Sequence, residues 1–229
     1  MSLERWKIAQ VVEGKAIRGR KTRWEPENYD AFLEEWFKVN YGFFSGKRVL
    51  EIGCGAYGMI YYIDAPCLKV GADPLCLHYS DLYQNPTNLP IHRVNAAGEY
   101  LPLKDKLFDV VLCINVLDHT LSPIPVIKEA KRVLREQGKL FLFINTFALP
   151  KIIRGFLGTF DRPHPIHFSG KEIEELGNNE GFKIIYKKSK PVSIVRGMSI
   201  IKNLEFIHGF KYVVGALLRL REAAYILER

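Results

Sequence analysis

This sequence has few of the residues that build metal sites and disulfide frameworks. It has four cysteines, Cys54, Cys67, Cys76 and Cys113, with no CxxC and no Cys/His metal spacing, and two of them lie in apolar strand-like runs where a reduced buried thiol is the common state. That excludes a zinc ribbon or a disulfide-stapled scaffold, and it fits a reducing cytoplasm. No apolar run approaches the roughly 18 residues of a spanning helix. The opening MSLERWKIAQ is broken by Glu4, Arg5 and Lys7, so neither a signal peptide nor a transmembrane anchor is expected. Repeats and low-complexity tracts are missing too. Acid is scarce relative to base: 33 Lys and Arg against 25 Asp and Glu leave a charge of +8 at pH 7, a balance that favours phosphates, nucleic acid or an acidic membrane face.

What is present suffices for one substantial core. Over 229 residues, 48% are hydrophobic and 12% aromatic. Short apolar runs bounded by Gly, Pro, Asp or Asn nominate buried strands at 48–52, 68–72, 91–94, 110–114, 140–144 and 182–186. Between the last of these, residues 125–134 carry Val126, Ile127, Ala130, Val133 and Leu134 at helical spacing, with Gln137-Gly138 read as the helix stop. Ser169 and Glu172 form a capping-box pair ahead of Ile173 and Leu176. Two flanks stand outside this alternation. Residues 1–45 form an N-terminal helical extension, with a helix from Pro26 that places Tyr29, Phe32, Leu33, Trp36 and Phe37 on one side. Residues 212–227 read as a C-terminal helix with Val213, Ala216, Leu217, Leu220, Ala224 and Leu227 on one face. Both flanks are expected to pack on the core, an alternative for the last helix being peripheral contact with a membrane through Arg219 and Arg221.

The chemistry concentrates after the first strand. Gly53, Gly55 and Gly58 complete a G-x-G-x-x-G, which lets the chain turn tightly, bring bare backbone to a ligand and open a helix whose N–H groups face an anion. Asp73 lies 20 residues beyond Gly53, at the end of the second strand, where a carboxylate accepts the hydroxyls of a ribose. Glu51 separates the two cofactor classes that share this pattern. A dinucleotide puts its pyrophosphate here, and a carboxylate two residues before the first glycine repels it; S-adenosylmethionine carries an ammonium and a sulfonium, which a carboxylate favours. The competing readings are a Glu51 bonded to backbone or paired with Arg48, and an Asp73 that only forms a turn with Pro74.

In order and spacing, VLEIGCGAYG, VGADPL, GEYLPLKDKLFDVVLCINVLDH and RVLREQGKLFLFI resemble the successive motifs of class I S-adenosylmethionine-dependent methyltransferases, within the group that includes quinone-biosynthesis and other small-molecule enzymes. The resemblance covers about residues 47–145 and implies a Rossmann-like, doubly wound α/β fold. Its sheet would be seven-stranded and mostly parallel with helices on both faces, making residues 46–229 the methyltransferase domain. Carried over, Glu51, Gly53, Cys54 and Gly55 surround the methionine moiety, Asp73 the ribose, and Asn115 the region of the transferred methyl, the product being S-adenosylhomocysteine. One position departs from the family. The Asp or Asn that meets the adenine amine is replaced by Ala97, leaving backbone at Ala97 and Gly98, or nearby Glu99, to serve.

Methyl transfer from a sulfonium is an in-line displacement that needs positioning more than a catalytic residue. Where an acceptor proton must leave, His119 and His167 are the candidate bases, with His164 beside them. A structural role for His119, paired with Asp118, is the competing reading. A long insertion at about 147–169 stands where the family places its lid, and Asp161, Arg162, His164 and His167 are its candidate acceptor contacts. The basic run Lys15, Arg18, Arg20, Lys21 and Arg23 reads either as a phosphate site or as a solvated surface. A small-molecule acceptor is the leading expectation. An RNA methyltransferase, a nicotinamide-dependent oxidoreductase and a non-catalytic cofactor-binding protein are the alternatives.

Overall fold

A computed structural model describes residues 2–18, 26–79, 81–82, 86–160, 166–192 and 220–229. Two helices come first, α1 (Leu3–Arg18) and α2 (Pro26–Phe37), and then β1 (Arg48–Ile52), β2 (Leu68–Ala72), β3 (Ile91–Val94) and β4 (Phe108–Ile114). The chain continues through α3 (Pro123–Val133), β5 (Leu134–Phe147), α4 (Lys151–Phe160), α5 (Gly170–Asn179), β6 (Lys183–Pro191) and β7 (Leu220–Glu228). The seven strands form one sheet in the order β3-β2-β1-β4-β5-β7-β6. β1 pairs in parallel with β2 and β4, β2 with β3 and β4 with β5, whereas β7 runs antiparallel to both β5 and β6. The expected seven-stranded, mostly parallel sheet is therefore what forms.

Alternation along the strands divides the core into two layers. Leu50, Ile52, Val111, Leu140 and Leu142 meet Val126, Ile127, Ala130 and Val133 of α3 and Ile173 of α5 on one face. Val49, Val110, Leu112, Phe141 and Phe143 meet Leu33, Trp36 and Phe37 of α2 on the other. Phe143 lies edge-on to Phe32 and Trp36, each 4.9 Å between ring centroids. Helices thus cover both faces, as a buried parallel sheet requires. The capping box of α5 forms as the sequence predicts, with Ser169 accepting from the Glu172 N–H.

Three expectations are corrected. The C-terminal helix is a strand from Leu220 on: β7 lies between β5 and β6 with Ala223–Leu227 buried throughout, and a strand covered on both faces satisfies a helical spacing by accident. Residues 212–219 of that reading lie outside the described residues. Gln137-Gly138 does not stop the helix. α3 ends at Val133, Leu134 is already extended, and pairing skips from Phe108↔Leu134 to Val110↔Lys139, so Gln137 (φ 62°) turns a bulge inside β5. Nor does an α-helix follow the glycine turn. A single 3₁₀ turn, Met59–Tyr61, stands there instead.

Candidate functional site

The loop leaving β1 shows why that helix is absent. Glu51 is buried, and its two carboxylate oxygens accept the N–H groups of Met59 (3.2 Å) and Ile60 (2.8 Å). The side chain thereby satisfies the donors that a helix would have offered to an anion. Burial pushes its pKa up to about 7, against the two N–H bonds, which favour the ionised form. Gly58 belongs to this arrangement, because an added Cβ would lie 2.4 Å from the Cys54 carbonyl and 2.6 Å from Glu51 Oε2. Gly53 and Gly55 take φ of 71° and 51°, the left-handed region. At Gly53 a Cβ would also strike Val116 at 2.5 Å, so bare backbone is needed there twice over.

Asp73 closes the turn from the other side. Its Oδ2 accepts from Gly55 N–H (2.9 Å) and its Oδ1 from Leu75 N–H (2.8 Å), so the turn-forming reading is true as well. Each oxygen keeps lone-pair capacity for a ligand hydroxyl. The Asn115 N–H donates to the Phe143 carbonyl at 2.8 Å, and Asn115 itself stands at φ 54°, a conformation few residues other than glycine adopt. Glu99, named as a substitute adenine contact, lines the cleft and also supports α3: its Oε1 accepts from Leu121 (2.8 Å) and Ser122 (3.2 Å), closing the start of that helix, where Ser122 makes no side-chain cap.

Gly53, Gly55, Asp73, Ala97, Gly98, Asn115 and His119 all line one cleft at the carboxyl ends of β1, β2 and β4. Glu51 and Cys54 stand behind the loop rather than in that wall. Burial raises the pKa of the Cys54 thiol well above the ordinary value, so it is no nucleophile. His119 Nε2 is 4.0 Å from Asp118 Oδ1, beyond hydrogen-bond reach, with both side chains largely buried. His167 is not in the cleft wall. Its ring stacks on Phe147, with 4.6 Å between centroids, and its carbonyl accepts from Arg154.

None of the described residues of 147–169 reaches the cleft. That segment holds α4, whose buried Arg154 donates to the carbonyls of Leu149 (2.9 Å) and His167 (2.6 Å) and to Glu172 Oε2 (2.5 Å). Burial opposes ionisation of Glu172, but the Arg154 and Ser169 bonds outweigh it and hold the carboxyl near 2. Asp161, Arg162 and His164 lie outside the described residues.

The contribution that sequence reasoning missed comes from α1, whose Trp6 and Gln10 line the cleft. Trp6, Gln10, Gly14 and Arg18 recur at intervals of four, one stripe on the helix, and that repeat was the available signal. At its end Arg18 pairs with Asp81 (2.9 Å) and donates to His78. One member of the basic run is thus spent on holding α1 in place, while Arg20, Lys21 and Arg23 lie outside the described residues. The cleft's free volume, about 100 Å³, is below the roughly 300–1,000 Å³ of ligand pockets.

A family profile described as a methyltransferase domain matches residues 50–142. An uncharacterized protein of Methanocaldococcus jannaschii is 33% identical over 192 residues, 78% of this chain and 80% of its own length. The ubiquinone biosynthesis O-methyltransferase of Haemophilus ducreyi is 33% identical over 108 residues, 42% of this chain and 44% of that one. The tRNA U34 carboxymethyltransferase of Wolinella succinogenes is 31% identical over 125 residues, 53% of this chain and 43% of that one. Among solved structures, geranyl diphosphate methyltransferase in complex with GPP and sinefungin superposes with a TM-score of 0.67 over 90% of this chain and 78% of its own, at 11% identity, a likeness of fold.

Proposed function

Because the chain belongs to the class I S-adenosylmethionine-dependent methyltransferases, we propose that it methylates a small-molecule acceptor inside the cleft beneath α1. The observation that carries this reading is the part α1 takes in the cleft. Trp6 and Gln10 line the same small cleft as Gly53, Asp73 and Asn115, which suits a compact acceptor better than a polynucleotide. No helix among the described residues is long and apolar enough to cross a membrane, and the four cysteines are free thiols, which agrees with work in the cytoplasm.

In this reading the bare backbone at Gly53 and Gly55 admits the methionine end of the donor, and Asp73 takes the ribose hydroxyls. Asn115 borders the methyl, and the donor leaves as S-adenosylhomocysteine. The protein's chief contribution is alignment of acceptor, methyl and sulfur. Where the acceptor is a hydroxyl, its proton passes to His119, the one imidazole in the cleft wall among the described residues. Glu51 acts at one remove. A cationic donor in front of the loop favours its ionised form, so donor binding near neutral pH releases protons from a carboxyl poised near 7.

The tRNA relative favours a second reading, an RNA acceptor reached through the basic run. The two separate in one set of assays. Methyl transfer to a panel of phenols, carboxylates and amines, with no transfer to bulk tRNA and no salt-dependent RNA binding, supports the small-molecule reading. RNA binding that weakens steeply with salt, together with methylated tRNA, replaces it. Absence of S-adenosylhomocysteine binding by calorimetry overturns both.

A further inference from the structure

The cleft has a recognition gap on one side and an unused group on the other. At 97 the side chain is a methyl. The neighbouring Gly98 has no room for any side chain, an added Cβ lying 2.7 Å from Ile52 and 3.3 Å from Val126. Glu99 also lines the cleft, but its Oε1 is given to the start of α3. Across the cleft, Gln10 is half-buried in the wall, and its carboxamide has no hydrogen-bond partner among the described residues.

Its placement is fixed from further along the same helix stripe. Gly14, one turn on, passes close over the turn after β2, where a Cβ would be 3.5 Å from His78 and 3.8 Å from Leu75, which itself lines the cleft. Arg18, a further turn on, is clasped by Asp81. The helix thus holds position 10 in the wall of the cleft that Leu75 and Ala97 also line.

We propose that Gln10 reads the adenine of the methyl donor in place of the side chain that Ala97 does not supply. A carboxamide and adenine are complementary: the amide oxygen accepts from the exocyclic amine and the amide NH₂ donates to a ring nitrogen. The inference rests on the cleft being the donor site and assigns its base-reading residue to α1, an element outside the motif-bearing part of the chain.

The test is calorimetry with S-adenosylhomocysteine and with its analogue carrying unsubstituted purine instead of adenine, on wild type, Gln10→Ala and Gln10→Ala/Ala97→Asp. Wild type should prefer the adenine ligand by roughly tenfold, the loss of one good hydrogen bond to a base. In Gln10→Ala that preference should fall towards one, with unchanged melting because the amide bonds nothing in the protein. In the double variant, where a carboxylate again faces the amine, the preference should return. A preference that survives in Gln10→Ala, or an equal loss of affinity for both ligands, overturns the assignment to Gln10. Failure of wild type to bind S-adenosylhomocysteine overturns the donor-site reading itself, and this inference with it.

Discussion

The two sides of the cleft are built on different principles. On the sheet side, the wall is fixed by backbone of the strand ends: Asp73 holds Gly55 and Leu75, Asn115 hangs from Phe143, and Glu51, behind the loop, holds Met59 and Ile60. On the helix side, α1 is tied down at its end by Arg18 pairing with Asp81; α4, which lies outside the cleft wall, is tied by Arg154 to Glu172. A donor that never varies suits the first kind of wall, in which nothing reorganises at the moment of reaction. The second kind can open, and its helices can change from one methyltransferase to another without disturbing the sheet.

The sharpest way to break this contrast is Arg154→Met, which leaves the carbonyls of Leu149 and His167 and the carboxylate of Glu172 without their shared donor. Stability to urea should fall by about 3–4 kcal/mol, as for a buried cation removed from its partners, while S-adenosylhomocysteine affinity under folding conditions stays within a few-fold. An equal collapse of cofactor affinity would show that the two walls are one unit.

Glu51 tests the sheet side. Its pKa is raised in the folded state, to about 7 from an ordinary 4.5, so the folded protein holds that proton more tightly than the unfolded chain. Its contribution is most favourable below pH 4.5 and is lost as pH rises to 7. Between those values the stability of Glu51→Gln relative to wild type should therefore improve by up to about 3 kcal/mol. A pH-independent difference would place the ionised carboxylate in the folded state throughout. Asp73→Ala should weaken S-adenosylhomocysteine by about 1.5–3 kcal/mol in calorimetry; no loss would mean the ribose is held elsewhere. The smallest effect is expected at the exposed Arg18–Asp81 pair. Arg18→Ala should leave melting nearly unchanged but speed amide exchange over 3–18 and hasten cofactor dissociation, and high salt should mimic it in wild type.

Most of the sheet was legible because buried parallel strands announce themselves as short apolar runs with turn residues at both ends; 48–52, 68–72 and 91–94 form as read. β7 was not legible for the same reason in reverse. LREAAYILE is apolar enough to be buried on every side, and its pairing partners are far away in sequence. At the site, Gly53, Gly55 and Asp73 were readable from spacing, and Asn115 only from the family resemblance. The fate of Glu51 was not, because whether a carboxylate faces a ligand or caps its own loop depends on where Met59 and Ile60 return. Arg154 and Gln10 were hidden for a simpler reason. Gln10 belongs to a repeat of four along α1, but neither that repeat nor a lone arginine says what the side chain meets, which depends on carbonyls or cleft walls brought to it by the fold.

The position of β7 also has a consequence in time. β5 pairs on one side with β4, but its other edge waits for residues 220–228, so that Lys139 meets Glu228 only when 89 further residues are available. Until then a long strand carrying Leu140, Phe141, Leu142 and Phe143 presents unpaired backbone to whatever else is near. The half of the sheet that bears the glycine turn has all its strands in hand well before that. During synthesis this protein passes through a stage in which the strands that carry the glycine turn are assembled and its most adhesive strand is still open, and that interval is when it is most exposed to aggregation.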